Sequence, residues 1–151
     1  MKKNFFYICL LFSLCFLAVG CGPKTARVSG RVTFDGEPAK DISVLFQSAS
    51  SAAIVAEPAF GKTNAKGEFT LALINTKKKG AIPGEYVVYI SWVDPEPGNA
   101  VEGVTKETPI PYKIPTRASN GEMTFTVTAE GTSEANFDFD TSKESYKPSG
   151  V

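Results

Sequence analysis

The hydrophobic pattern changes character once along the chain. From Phe5 to Val19 the residues are apolar and uncharged without a break, whereas from Arg27 onward apolar and polar positions alternate. Val28, Gly30, Val32 and Phe34 alternate with Arg27, Ser29, Arg31 and Thr33, the period of a strand with one buried face. Asp35-Gly36-Glu37-Pro38 carries turn chemistry, and Ile42, Val44 and Phe46 resume the alternation. Gly61-Lys62-Thr63 leads through Asn64-Ala65-Lys66-Gly67 into Glu68-Phe69-Thr70-Leu71-Ala72-Leu73, which predicts a hairpin with Gly67 at the strained turn position.

Pro83-Gly84 launches the most apolar stretch, Glu85 to Val93. Tyr86, Val88, Ile90 and Trp92 share one face, and Val87, Tyr89 and Val93 make the other face apolar too. Such a strand is central or covered on both sides, and its Trp92 is expected in the core. Met123, Phe125 and Val127, then Phe137 and Phe139, predict two closing strands. Between them the Pro-rich stretch Asp94 to Gly121 reads as a surface excursion, and Thr141 to Val151 as a flexible tail. No segment after Cys21 has a helical period. The pattern predicts six or seven short strands and an all-β antiparallel sandwich over residues 27–140.

The apolar run at the start follows Lys2 and Lys3 and spans 15 residues, short of the roughly 20 that a helix needs to cross a bilayer. This is the order of a cleavable secretory signal peptide over residues 1–20. Its end, Ala18-Val19-Gly20-Cys21, resembles a bacterial lipobox, with Ala18 where leucine is usual. The resemblance implies cleavage between Gly20 and Cys21, diacylation of the Cys21 thiol and acylation of the new amino terminus. Residues 21–26 would then be a lipidated tether, and several acyl chains hold stably where one would not. The expected location is the bacterial cell envelope, lipid-anchored. In an envelope with two membranes, Gly22 stands where an aspartate commonly signals inner-membrane retention, so the resemblance makes outer-membrane delivery, or a periplasm-facing position, the default.

Charge and composition narrow the chemistry. Loss of Lys2 and Lys3 turns an even balance of 16 basic and 16 acidic side chains into an excess of two acids, which gives no reason to expect a nucleic-acid partner. Cys9 and Cys15 lie in the segment to be removed, so the mature chain keeps only Cys21 and no disulfide. The sequence contains no histidine, the commonest general base and zinc ligand. No cofactor or metal is expected beyond the covalent lipid on Cys21.

Three segments together resemble the transthyretin-like or carboxypeptidase regulatory-like domain. They are Val28-Ser29-Gly30-Arg31-Val32 running to Asp35-Gly36-Glu37-Pro38, Gly61-Lys62-Thr63 to Gly67-Glu68-Phe69, and Pro83-Gly84-Glu85-Tyr86 with Val88. The resemblance implies a seven-stranded prealbumin-like sandwich, usually an accessory module beside an enzyme or a lone domain on exported lipoproteins, and it does not imply a catalytic site. The enzymes that share this fold are built around histidines, and adhesin domains of similar topology use a lysine crosslink whose acid would stand where this chain has Ile90.

The leading expectation is therefore a non-catalytic accessory or structural lipoprotein that presents a surface to an envelope protein or polysaccharide. A carbohydrate- or small-ligand-binding lipoprotein is the alternative, with Tyr89 and Tyr112 as the ring platforms that could stack on a ligand. A carboxylate-based enzyme ranks last: Asp138 and Asp140 stand at alternate strand positions about 7 Å apart, but solvated acids far outnumber sites. Asp94 and Glu96 are read the same way, and Lys77, Lys78 and Lys79 as a solvated turn.

Overall fold

A computed structural model of the chain describes residues 24–50, 56–92 and 111–146, whose regular structure is almost wholly strand. In chain order these are β1 (Ser29–Phe34), β2 (Glu37–Pro38), β3 (Ile42–Ser48), β4 (Ala59–Lys62), β5 (Glu68–Thr70), β6 (Ala72–Leu73), β7 (Gly84–Trp92), β8 (Met123–Val127) and β9 (Phe137–Phe139), with one short helix, α1 (Thr116–Ser119), before β8. Patterning predicts six or seven strands. The surplus comes from β2 and β6, whose two residues each are too few to show a period.

The strands make two sheets around one core. In the first, β1 is central: β5 and β2 pair in succession with one edge and β9 with the other. The second has the order β6-β4-β3-β7-β8. β7 is paired on both sides, as its two apolar faces predict. Val28, Val32, Phe69 and Phe137 of the first sheet meet Ile42, Val44, Phe46, Tyr86, Val88 and Ile90 of the second, all buried. Phe46 sits between the layers, with the rings of Phe125 and Phe137 edge-on at 5.4 and 6.3 Å. Trp92 is half-buried and packs on this core. Tyr86 is fully buried, and its hydroxyl donates to the Ile82 carbonyl at 2.7 Å. Burial pushes that phenol above its ordinary range.

One pairing departs from the expected antiparallel pattern. β9 runs parallel to β1, with Val32 opposite Phe137 and Phe34 opposite Phe139, while an isolated bridge sets Val28 opposite Thr132. Four steps along β1 thus match five along its neighbour, so the neighbour bulges by one residue. The bulge lies over Gly30, where a Cβ would overlap the backbone of Ala135. Gly30 occupies a core-facing position of β1 because nothing larger fits beneath that crossing.

Strand directions sort the loops onto two ends. At one end the chain enters at Lys24–Ala26, where Ala26 and Ala81 exchange backbone hydrogen bonds of 2.8 and 2.9 Å, and the β6 hairpin turns at Ile74–Lys78. The far end holds Asp35–Asp41, α1 and the residues after β9. Two expectations change there. The stretch 111–121 contains α1, whose Ala118 is fully buried, too short a helix to leave a periodic signature. Residues 141–146 are docked rather than free: the Thr141 backbone N–H and hydroxyl donate to the Asp35 carboxylate at 2.7 Å each, and the Thr116 N–H donates to the Ser145 carbonyl at 2.9 Å. Arg117 grips Glu144 through Nε at 3.0 and 2.8 Å and lies over the Phe139 ring at 5.1 Å.

Gly30→Ala is expected to lower stability by about 2–3 kcal/mol, because the new methyl must displace backbone. Gly36→Ala, at φ 83° with open space around it, should cost only about 1 kcal/mol of left-handed strain. Urea unfolding of the two variants orders them; an equal or smaller loss for Gly30→Ala would remove the role given to the bulge.

Candidate functional site

Cys21 and Gly20, the expected lipidation and cleavage positions, lie outside the described residues, as do Asp94 and Glu96. The two tyrosines singled out as ligand platforms are both described, and they differ. Tyr112 is engaged on both its ring and its hydroxyl: the ring stacks on Phe34 at 5.2 Å, and Oη accepts the Lys40 backbone N–H at 2.9 Å. Phe34 stacks in turn on Phe139 at 5.2 Å. Tyr112 therefore fastens the start of the stretch 111–121 to the far end, through one ring contact and its hydroxyl.

Tyr89 lies on the outer face of the five-stranded sheet, half-buried, with its hydroxyl edge against Gly121. Register places it beside two residues that the periodicity of single strands does not single out. Leu45 of β3 is directly opposite Tyr89 of β7 on one side and Phe60 of β4 on the other. Directly opposed residues point to the same face, so Phe60, Leu45 and Tyr89 form one apolar row across three strands, about 10 Å from end to end. Phe60 is 39% exposed and one of two large apolar side chains described as exposed.

Polar residues flank this row. On one side Lys62, Ser43 and Ser91 are in register, and on the other Gln47 is followed by Val87 and Thr124. Lys62 is drawn aside by Asp41 at 3.0 Å, and its hydrogen bond holds the Asp41 carboxyl below the usual aspartate range. A flat apolar strip with hydroxyl and amide groups on either side can take the face of a ring or a short apolar side chain and hydrogen-bond its rim.

The outer face of the first sheet is different. Ser29, Arg31, Thr33, Glu68, Asn136 and Asp138 line an open polar depression of about 620 Å³ with no exposed ring. Most of these groups already serve one another: the Thr33 hydroxyl donates to Asp138 at 2.5 Å, Asn136 accepts the Arg31 backbone N–H at 3.0 Å, and Arg31 faces Glu68 at 4.0 Å.

Asp138 and Asp140, expected on one side of a strand, line one open depression with Asp35 and are held by different partners. Asp138 stays on β9 with Thr33, while Asp140 lies past its end and accepts from Ser142 and Lys143. Among the described residues no three acid, cysteine or histidine side chains are grouped to hold a metal ion. Lys77, Lys78 and Lys79 are exposed at the end that holds Lys24–Ala26, where Glu57 accepts the Asn75 and Thr76 backbone N–H groups and orders the turn before them.

The far end is where carboxylates are most perturbed. Hydrogen bonds from Lys143 and then Ser142 bring Asp140 down to about 2, and Arg117 lowers Glu144. Tyr146 is raised, by burial first and then by the charges of Glu144, Asp35 and Asp140. Both depressed carboxylates favour the folded state above the ordinary carboxylate range, and that contribution disappears as pH falls from about 4 towards 2. An NMR titration should place the Asp140 midpoint near 2 and, in Lys143→Ala, move it up towards 3.8. A midpoint already near 3.8 in the unaltered protein would contradict the pairing.

No protein-family model, no curated protein and no solved structure matches this chain, so the site is read from its own geometry.

Proposed function

We propose that the protein is a lipoprotein of the bacterial envelope, anchored through Cys21, whose body is a transthyretin-like sandwich acting as a non-catalytic accessory module. The row Phe60–Leu45–Tyr89 is the contact face it presents to an envelope protein or polysaccharide. The exposure of Phe60 within that row carries the reading, because a ring that size on a flat sheet leaves apolar area uncovered that an isolated module gains by covering. Support for the anchor comes from the order of basic start, apolar run and Ala18-Val19-Gly20-Cys21, and support for a non-catalytic role from the lack of any histidine in the sequence.

A polysaccharide partner is favoured by the makeup of the row. Two aromatic rings two strands apart, with the exposed Ser91, Gln47 and Thr124 near them, suit a ligand with apolar ring faces and a rim of hydroxyls. A protein partner would use Phe60 as an anchor in a pocket.

Two measurements test this. Cells producing Cys21→Ala are expected to take up no labelled palmitate into the protein and to leave it unprocessed or untethered; continued labelling would refute the lipobox. Binding of the full-length protein to immobilised envelope polysaccharides, and separately to envelope proteins, should be saturable with one of them. Phe60→Ala should weaken it about tenfold or more, the loss of one well-placed aromatic contact. Binding that Phe60→Ala and Tyr89→Ala leave unchanged would move the contact face elsewhere.

A further inference from the structure

The tether and the basic turn share one end of the fold, and the second exposed apolar residue lies with them. β5 and β6 run antiparallel to β1, so as the chain passes Leu71 and Leu73 it travels back towards the entry at Ala26. The Leu71 N–H donates to the Val28 carbonyl at 2.9 Å, and the hairpin then turns through Ile74, Asn75 and Thr76 into Lys77, Lys78 and Lys79. Ile74 is 38% exposed, and all three lysines are exposed. The returning strand is stitched directly to the tether: Gly80 and Ala81 pass against Ala26, where a Cβ on Gly80 would overlap the Ala26 carbonyl. Lys24 and Arg27 belong to the same end.

We infer that this end, formed by Lys24, Arg27, Ile74 and Lys77 to Lys79, docks on the anionic headgroups of the membrane that holds the anchor. The inference rests on the proposed acylation of Cys21. Lys24 stands three chain steps after Cys21, so an acylated Cys21 keeps the entry point within about 10 Å of the headgroups. Five cations share this end with the carboxylates Glu57, Glu85 and Glu130; Glu57 is engaged by Asn75 and Thr76 and also draws on the charge of Lys77. The arrangement of one apolar side chain among lysines is that of an interfacial contact, in which the apolar group enters the headgroup layer and the ammonium groups meet lipid phosphates. Docking fixes the orientation of the sandwich: the far end, with Asp35, α1 and the docked residues 141–146, points away from the bilayer, and the Phe60 row stands on its side.

The test uses the acylated full-length protein, isolated from membranes and reconstituted into vesicles. Once the signal peptide is gone and Cys21 is acylated, Ile74→Cys supplies the one free thiol for an environment-sensitive fluorophore, and Lys66→Cys supplies a control at the far end. In vesicles containing phosphatidylglycerol and a lipid-borne quencher, the probe at position 74 is expected to be quenched and the probe at 66 not. Replacing Lys77, Lys78 and Lys79 by alanine, or the lipid by pure phosphatidylcholine, should reduce that quenching several-fold, since each lysine contributes about a fivefold preference for the anionic surface. Palmitate on Cys21 with an unquenched probe at 74 overturns the docking and leaves the anchor standing. A lack of palmitate on Cys21 overturns the anchor, and the docked end with it.

Discussion

The architecture depends on one close approach, the crossing of the Ala135 backbone over Gly30. That crossing lets a one-residue bulge slide β9 into parallel register with β1, and the register decides which residues of β9 face the core. With Val32 opposite Phe137 and Phe34 opposite Phe139, both phenylalanines face inward. Phe137 completes the aromatic cluster around Phe46, and Phe139 stacks on Phe34. A slip of one residue would turn both rings to solvent and bring Asp138 into the core, where a carboxylate without a partner is costly to bury. Everything at the far end follows from Phe139: Arg117 lies over its ring, Glu144 holds Arg117, and Tyr112 stacks on the other side of Phe34.

The longer strands were legible because each has one buried face, which writes a period of two into the sequence. β1, β3, β7, β8 and β9 stand where Val28 to Phe34, Ile42 to Phe46, Tyr86 to Trp92, Met123 to Val127 and Phe137 to Phe139 alternate. The docked residues 141–146 were not legible, because polar contacts across long sequence separations hold them. Asp35 to Thr141 and Arg117 to Glu144 leave no periodic trace, and charged, small residues at the end of a chain look the same whether solvated or paired. The parallel placement of β9 was equally hidden, since Phe137 and Phe139 alternate identically in either direction.

The candidate site was half legible for a related reason. Tyr89 stood out because its strand is apolar on both faces, but Phe60 sits in a short strand of small residues, and Leu45 looks like one more apolar residue among Val44 and Phe46. What unites the three is lateral register, a property of pairing between strands that no single segment carries. Tyr112 shows the converse case. An aromatic residue in an aperiodic, Pro-rich stretch looks free for a ligand, yet a loop that crosses the end of a core needs some residue to fasten it. A tyrosine does so with its ring on Phe34 and its hydroxyl on a backbone N–H.

The two ends of the molecule show how the same charged residues take different roles according to spacing. At the far end opposite charges stand close together, as in Asp140 with Lys143 and Arg117 with Glu144, so each of these charges is met by a partner at short range. At the tether end Lys77, Lys78 and Lys79 are consecutive, and like charges in one turn cannot neutralise one another. Their field extends outward over roughly a Debye length of 8–10 Å, comparable to the reach of three residues of tether. Were Cys21 acylated, as proposed, a cationic turn farther from it would be screened from the bilayer. Placed beside Ala26 by the Ala26–Ala81 bridge, it acts within the distance that a lipid on Cys21 would impose, so the backbone pairing that closes the sandwich also sets the distance over which its charge is felt.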